Sequence, residues 1–140
     1  MTARYLIDNS AWMRLDDAAL PDERTRELAA EDASLWASSI LRLEAGYSAR
    51  DASSYRELMD DFDALPQAPI DASVHARAHD LQSQLVHSGH HRVPPADLLT
   101  IAAAEANGLT VLHYDKDFDV IREHTDCVAA TEWLAPRGSL

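Results

Sequence analysis

Near the C-terminal end of the chain, the apolar run LTVL leads into HYDKDFDVI, which sets Asp115, Asp117 and Asp119 at alternating positions. Carboxylates crowded in this way suit either a bound cation or a solvated turn. A calcium loop of the EF-hand kind would use them as ligand positions one, three and five. It would then require Gly at position six and a bidentate Glu at position twelve. The chain has Val120 and Asp126 there, and Phe118 interrupts the polar run. The EF-hand fails on its turn chemistry, so a cation site needs carboxylates from elsewhere in the chain.

Three further acids qualify. Asp8 ends the β-prone run YLID, as Asp115 ends VLHYD. Glu44 interrupts the apolar ILRLEAGY, and Asp97 interrupts VPPADLLTIAAA. Burying a lone carboxylate costs several kcal/mol unless it is paired, hydrogen-bonded or metal-bound. Asp97 falls in the first turn of its helix, where free backbone N–H groups favour an anion. Glu44 falls deeper inside a helix and has less such help. Four carboxylates meeting at one edge of a sheet suit a hard divalent ion with oxygen ligands, Mg²⁺ or Mn²⁺. Such an ion makes water more acidic and neutralises charge developing on phosphorus, the chemistry of phosphodiester hydrolysis.

Each acid also has an ordinary role open to it. Asp8 suits a helix N-cap. Asp97 suits a first-turn acid, and Asp115 and Asp117 suit turn residues. Glu44 suits a salt bridge with Arg42 or Arg50. Seven histidines raise the question of zinc, and His75 and His79 have helical i, i+4 spacing. The metalloprotease pattern, however, needs Glu after the first His, where Ala76 stands. His90, His91 and Arg92 form a candidate phosphate-touching rim near Asp97. His113 reads as a packed, hydrogen-bonded core imidazole. Arg14, Arg42 and Arg50 read as salt-bridge partners before phosphate contacts. Asp119 is expected to face solvent. Tyr5, Met13, Tyr47 and Tyr55 are expected to pack, and Trp12, Trp36 and Trp133 to lie in core or interface.

Positioning these acids takes alternating strands and helices. ARYLID reads as a strand, followed by a helix at NSAWMRL capped by Asn9 or Ser10. LPDERTRELAAED, SSILRLEAGYSAR and SSYRELMDDFDAL read as helices, the second capped by Ser38 or Ser39 with an apolar stripe of Ile40, Leu41, Leu43 and Tyr47. ASLWAS and APID read as short strands. ASVHARAHDLQSQLVHSG is a helix ended by Gly89, and PPADLLTIAAAEANG a buried helix between Pro94-Pro95 and Asn107-Gly108. LTVLHYD and DCVAA complete the strands. The alternation predicts an α/β domain with a mainly parallel sheet, whose ligands sit beyond the carboxyl ends of the strands.

The chain has 140 residues, 46% hydrophobic and 26% charged, the scale of one globular domain spanning 1–140. A single cysteine, Cys127, rules out an internal disulfide framework and a Cys-based zinc site. No secretory leader pattern and no stretch of about 18 apolar residues is present, so a soluble cytoplasmic protein is expected, with no membrane partner. The 24 acidic and 12 basic residues give a net charge of −12. That argues against a module holding nucleic acid by phosphate neutralisation alone. A nucleic-acid enzyme with a cation-filled acidic pocket stays compatible.

YLIDNSA, SSILRLEAGY, PPADLLTIAAAEANGLTVL and HYDKDFDVI, in that order, resemble the motifs of the PIN-domain ribonucleases, in particular the VapC-type toxins of bacterial toxin–antitoxin pairs. The resemblance implies a three-layer α/β/α fold with metal-binding acids at Asp8, Glu44, Asp97 and Asp115, and Asp117 as a fifth of variable role. Ser10 matches the hydroxyl residue that supports the first aspartate, and Asn9 stands where Thr is usual. It also implies Mg²⁺- or Mn²⁺-dependent endonuclease action on RNA, a homodimer, and a cognate VapB-type antitoxin whose tail covers the site. Two rivals remain at this point. One is a PIN-like protein-binding module without catalysis. The other is an aspartate-based phosphotransfer domain, weakened because Lys116 is the only lysine.

Overall fold

The computed structural model describes residues 3–90 and 92–140. Four strands, β1 (Ala3–Ile7), β2 (Ala33–Trp36), β3 (Thr110–His113) and β4 (Thr131–Trp133), form one sheet in the order β2-β1-β3-β4. All three pairings are parallel, with Leu6 opposite Trp36 and Val111, and His113 opposite Trp133. The carboxyl ends of β1 and β3 are therefore neighbours, and the Asp8 backbone N–H extends the pairing by donating to Leu112 O at 2.9 Å.

Parallel strands need crossovers, and among the described residues seven helices supply them: α1 (Asn9–Trp12), α2 (Asp22–Ala29), α3 (Ser39–Tyr47), α4 (Ala52–Asp63), α5 (Ala72–His87), α6 (Pro95–Asn107) and α7 (Asp117–His124). Alternation along the strands divides the core between two faces. Leu6 and Val111 pack with Leu81, Leu85, Ile101, Phe118 and Ile121 from α5, α6 and α7. Their neighbours Ile7 and Leu112 point the other way, onto Ala11, Leu28, Leu41 and Phe62 from α1 to α4. The result is a parallel α/β sheet with helices on both faces, as expected from the sequence. Among the described residues no helix is long and apolar enough to cross a membrane.

Helix boundaries follow local chemistry. Ser38 caps α3 by accepting from Leu41 N, and Asp51 and Asp71 cap α4 and α5 through the N–H groups of Ser54 and Val74. Pro95 opens α6, and Gly108 closes it at φ 63°, a left-handed conformation that glycine adopts without a Cβ clash.

Several expectations are corrected. The cap of α1 is Asp8, not Asn9 or Ser10. APID forms no strand; a single bridge joins Gln67 to Ala37 instead. The last strand lies at Thr131–Trp133, just after DCVAA, because Ala130 and the residues beyond it find the free edge of β3. The buried stripe of α3 is Leu41 and Ala45, while Leu43 is 71% and Tyr47 93% exposed. Met13 and Tyr55 are also largely exposed, at 61% and 48%. Tyr5 and all three tryptophans are half-buried.

Candidate metal centre

The site forms where β1 and β3 run out. Asp8 follows β1 and is 5% exposed. Its carboxylate accepts from Ser10 N at 3.0 Å and from Ser10 Oγ at 2.5 Å. That hydroxyl also accepts from Tyr114 N at 2.9 Å, so Ser10 ties the end of β1 to the end of β3. Two residues beyond His113, the Asp115 carboxylate accepts from Asp117 N at 2.9 Å. This Asx turn starts α7 and brings both acids to the same side.

Asp97, in the first turn of α6, is 6% exposed, and its Oδ2 is buried without a hydrogen-bond partner. Asp97, Asp115 and Asp117 each offer a carboxylate oxygen within 4.8 Å of the others. Burial pushes the Asp97 carboxyl up to about 8, helped by the charges of Asp8, Asp115, Asp117 and Glu44. Asp8 is raised by burial and by Asp115, against the lowering effect of its Ser10 bonds. Burial also raises Glu44, with Asp8 and Asp115 adding to the effect. Asp117 is raised by burial and Asp115, while Lys116 opposes the shift. The charge of Asp115 thus contributes to the raised pKa of each of the other four acids.

Glu44 sits at the margin of the buried face of α3, one residue before Ala45. Neither salt-bridge alternative for it is realised among the described residues, and Arg42 pairs with Asp63 at 2.8 Å instead. Asp8 and Glu44 lie outside the trio of Asp97, Asp115 and Asp117, and it is the trio that meets the requirements of a hard divalent cation. Its donors are all oxygens, it has an orphaned buried oxygen, and its mutual repulsion calls for positive charge.

Other sequence candidates fall elsewhere. Asp119 is half-buried and accepts from the Trp133 indole N–H at 3.0 Å, rather than facing solvent. His113 is fully buried between Phe118 and Trp133; Asp115 N donates to its Nδ1 at 3.2 Å, and burial lowers its pKa. The packed-imidazole reading of His113 is the observed one. His90 stacks on His124 at 3.6 Å, and Arg92 is exposed ahead of α6. His91 lies outside the described residues. His75 and His79 line a small pocket between α5 and α6 with Gln82 and Leu98, and join no third metal-capable side chain among the described residues.

Sequence reasoning missed the Ser10–Tyr114 bond, and it gave Asp117 as a fifth acid of variable role without its place in the tight trio. The Asp-Lys-Asp spacing was a usable signal for the second, since an aspartate accepting two residues on builds such a turn. No local signal marks the first, a contact across 104 residues.

A PIN domain model matches residues 5–124. The chain is 40% identical over 140 residues to Ribonuclease VapC18 of Mycobacterium tuberculosis, covering 97% of this chain and 98% of that protein. It is 36% identical to Ribonuclease VapC51 of the same organism, covering 100% and 99%. Among solved structures, VapBC-1 from nontypeable Haemophilus influenzae has a chain that matches with a TM-score of 0.74 at 13% identity, covering 93% of this chain and 97% of that one. A chain of VapBC2 from Rickettsia felis, bound to a DNA fragment from its promoter, matches with a TM-score of 0.71 at 20% identity, covering 92% and 97%. These last two likenesses concern the fold. With most of its length matched by the family model and its whole length by close relatives, this chain belongs to the PIN-domain family, within the group of VapC ribonucleases.

Proposed function

We propose that the chain is a metal-dependent endoribonuclease of one PIN-like unit over residues 1–140, acting as the toxin of a toxin–antitoxin pair. The observation that carries this reading is the buried Asp97, whose Oδ2 has no hydrogen-bond partner and whose carboxylate lies close to those of Asp115 and Asp117. An oxygen in that position is satisfied by a cation. The curated relatives named as ribonucleases support RNA as the substrate.

Asp8, Glu44, Asp97, Asp115 and Asp117 would hold Mg²⁺ or Mn²⁺. When bound, the ion supplies Lewis acidity, favouring proton loss from water and neutralising charge that develops on the phosphate. The remaining work belongs to the chain. Ser10 fixes Asp8 through two hydrogen bonds and keeps its carboxylate oriented. The Asp117 N–H engages Asp115 Oδ1 and leaves the other oxygen available. Burial and the neighbouring charges hold a proton on Asp97 at neutral pH in the metal-free chain, and cation binding would displace that proton. With several acids beside the reacting water, no separate histidine base is required, and buried His113 is best understood as supporting the Asp115 turn.

A VapB-type antitoxin is the proposed partner, supported by fold neighbours solved as VapBC complexes and as a toxin–antitoxin complex from Klebsiella pneumoniae. A homodimer and a cytoplasmic location complete the reading. The test is incubation of the purified chain with total RNA and Mg²⁺ or Mn²⁺, with EDTA as control. Cleavage that needs the ion and is lost in folded Asp8→Asn and Asp97→Asn variants supports the enzyme. Cleavage persisting at full rate in either variant refutes the site, and absence of cleavage by the native chain favours a binding module.

A further inference from the structure

A chain of net charge −12 repels RNA overall, so a fixed cation beside the acidic centre offers a phosphate a place to bind. Arg14 is such a cation, held at the edge of the acidic centre. It follows α1, and its Nη1 donates to Ser10 O at 2.7 Å. Its guanidinium carbon lies 4.8 Å from the centre of the Tyr114 ring. Both anchors are adjacent to the site. The hydroxyl of Ser10 binds Asp8 and the Tyr114 N–H, and Tyr114 immediately precedes Asp115. Tyr114 is in turn fixed by edge-on packing against Trp133 at 5.5 Å.

The sequence suggested a salt bridge for Arg14, yet among the described residues its guanidinium pairs with no carboxylate, although acids outnumber bases two to one. Arg24, Arg42 and Arg77 are, by contrast, engaged in ion pairs. A guanidinium has five N–H donors, and the Ser10 carbonyl takes one of them. Stacking and that single bond restrict its rotamers while leaving donors for an incoming anion. Phosphate oxygens suit this planar fork in a way that water or a lone carbonyl does not.

We propose that Arg14 contacts a phosphate of the RNA strand next to the one that is cut, on the α1–β3 side of the acidic centre. This rests on the enzyme reading above for the identity of the strand. The contact positions the polynucleotide and carries no base information. The competing role is a purely structural brace holding the Ser10 carbonyl and Tyr114 in place.

The two roles separate in a binding experiment. A short fluorescent single-stranded RNA is titrated with the full chain, Arg14→Gln and Arg14→Lys, with Ca²⁺ in place of Mg²⁺ and over a range of salt. A phosphate contact predicts about tenfold weaker binding for Arg14→Gln at low salt. The slope of log affinity against log salt becomes shallower by about 0.7, the share of one phosphate on a single strand. Arg14→Lys keeps most of that slope, and all three proteins show the same rise in melting temperature with Mn²⁺. An unchanged slope overturns the proposal, whether Mn²⁺ stabilisation is retained or lost, and its loss identifies the brace. Cleavage by the native chain is scored separately with Mg²⁺ or Mn²⁺. Arg14-dependent binding without cleavage defeats the enzyme reading and keeps the contact. Cleavage with an unchanged slope does the reverse, and no RNA binding by any of the three proteins sinks the contact.

Discussion

Ser10 Oγ donates to the Asp8 carboxylate at 2.5 Å while accepting from Tyr114 N at 2.9 Å, so one hydroxyl spans the ends of two adjacent strands. Partners of this kind behind a ligating group usually matter about 10- to 100-fold in metal affinity. Ser10→Ala is expected to weaken Mn²⁺ binding within that range and to cost about 1–2 kcal/mol of stability, because the Tyr114 N–H loses its acceptor. Ser10→Thr keeps the hydroxyl and is expected to retain most of both. Calorimetric Mn²⁺ titration and urea denaturation check the two effects.

Asp97 is a liability without a cation. Its folded pKa of about 8 lies above the unfolded value of 3.8, so the folded chain holds a proton that the unfolded chain releases. Stability is unpenalised below about pH 4 and falls as pH rises from there toward 8. In EDTA, Asp97→Asn is therefore expected to be more stable than the native chain at pH 7, by on the order of 2 kcal/mol. The two should converge near pH 4. Urea melts at several pH values read this directly, and equal stability at pH 7 would speak against a buried, repelled carboxylate.

On the opposite flank, Arg77 joins α5 to α6 and to the loop before β4. It reaches Glu105 at 2.7 Å, Asp80 at 2.6 Å and Asp126 at 2.9 Å. Its guanidinium holds Glu105 below the usual carboxylate range, and Gln84 and Arg77 do the same for Asp126. Lowered folded pKa values mean that this contribution is present above about pH 4.5 and is lost as pH falls through the folded values. Arg77→Ala is expected to cost about 1 kcal/mol at pH 7 and less at pH 3, since partly exposed ion pairs are screened. Mn²⁺-induced stabilisation should be unaffected, which thermal melts with and without the ion can verify.

How much of this was legible in advance depends on the range of the cause. Asp8 and Asp115 could be assigned to one edge because strand ends collect at one side of a parallel sheet, whatever the packing. Pro94-Pro95 and Asn107-Gly108 bracket α6, and that alone puts Asp97 in a first turn. Tertiary contacts decided the remainder. Tyr47 has the spacing of a core residue, but only Leu41 and Ala45 face the interior, and periodicity cannot divide a broad stripe. β4 is three half-buried residues including a glutamate, chosen by the open edge of β3 over the more apolar segment before it. Asp119 is drawn inward by the indole of Trp133, fourteen residues on.

The most direct measurement is Mn²⁺ binding to the native chain and to Asp97→Asn, followed by calorimetry at pH 7 in two buffers of different ionisation enthalpy. The native chain should bind at least one ion and release protons on binding, while the variant, folded by circular dichroism, loses both signals. Ion binding of undiminished affinity in Asp97→Asn, or none in the native chain, would contradict a divalent cation held by these converging acids.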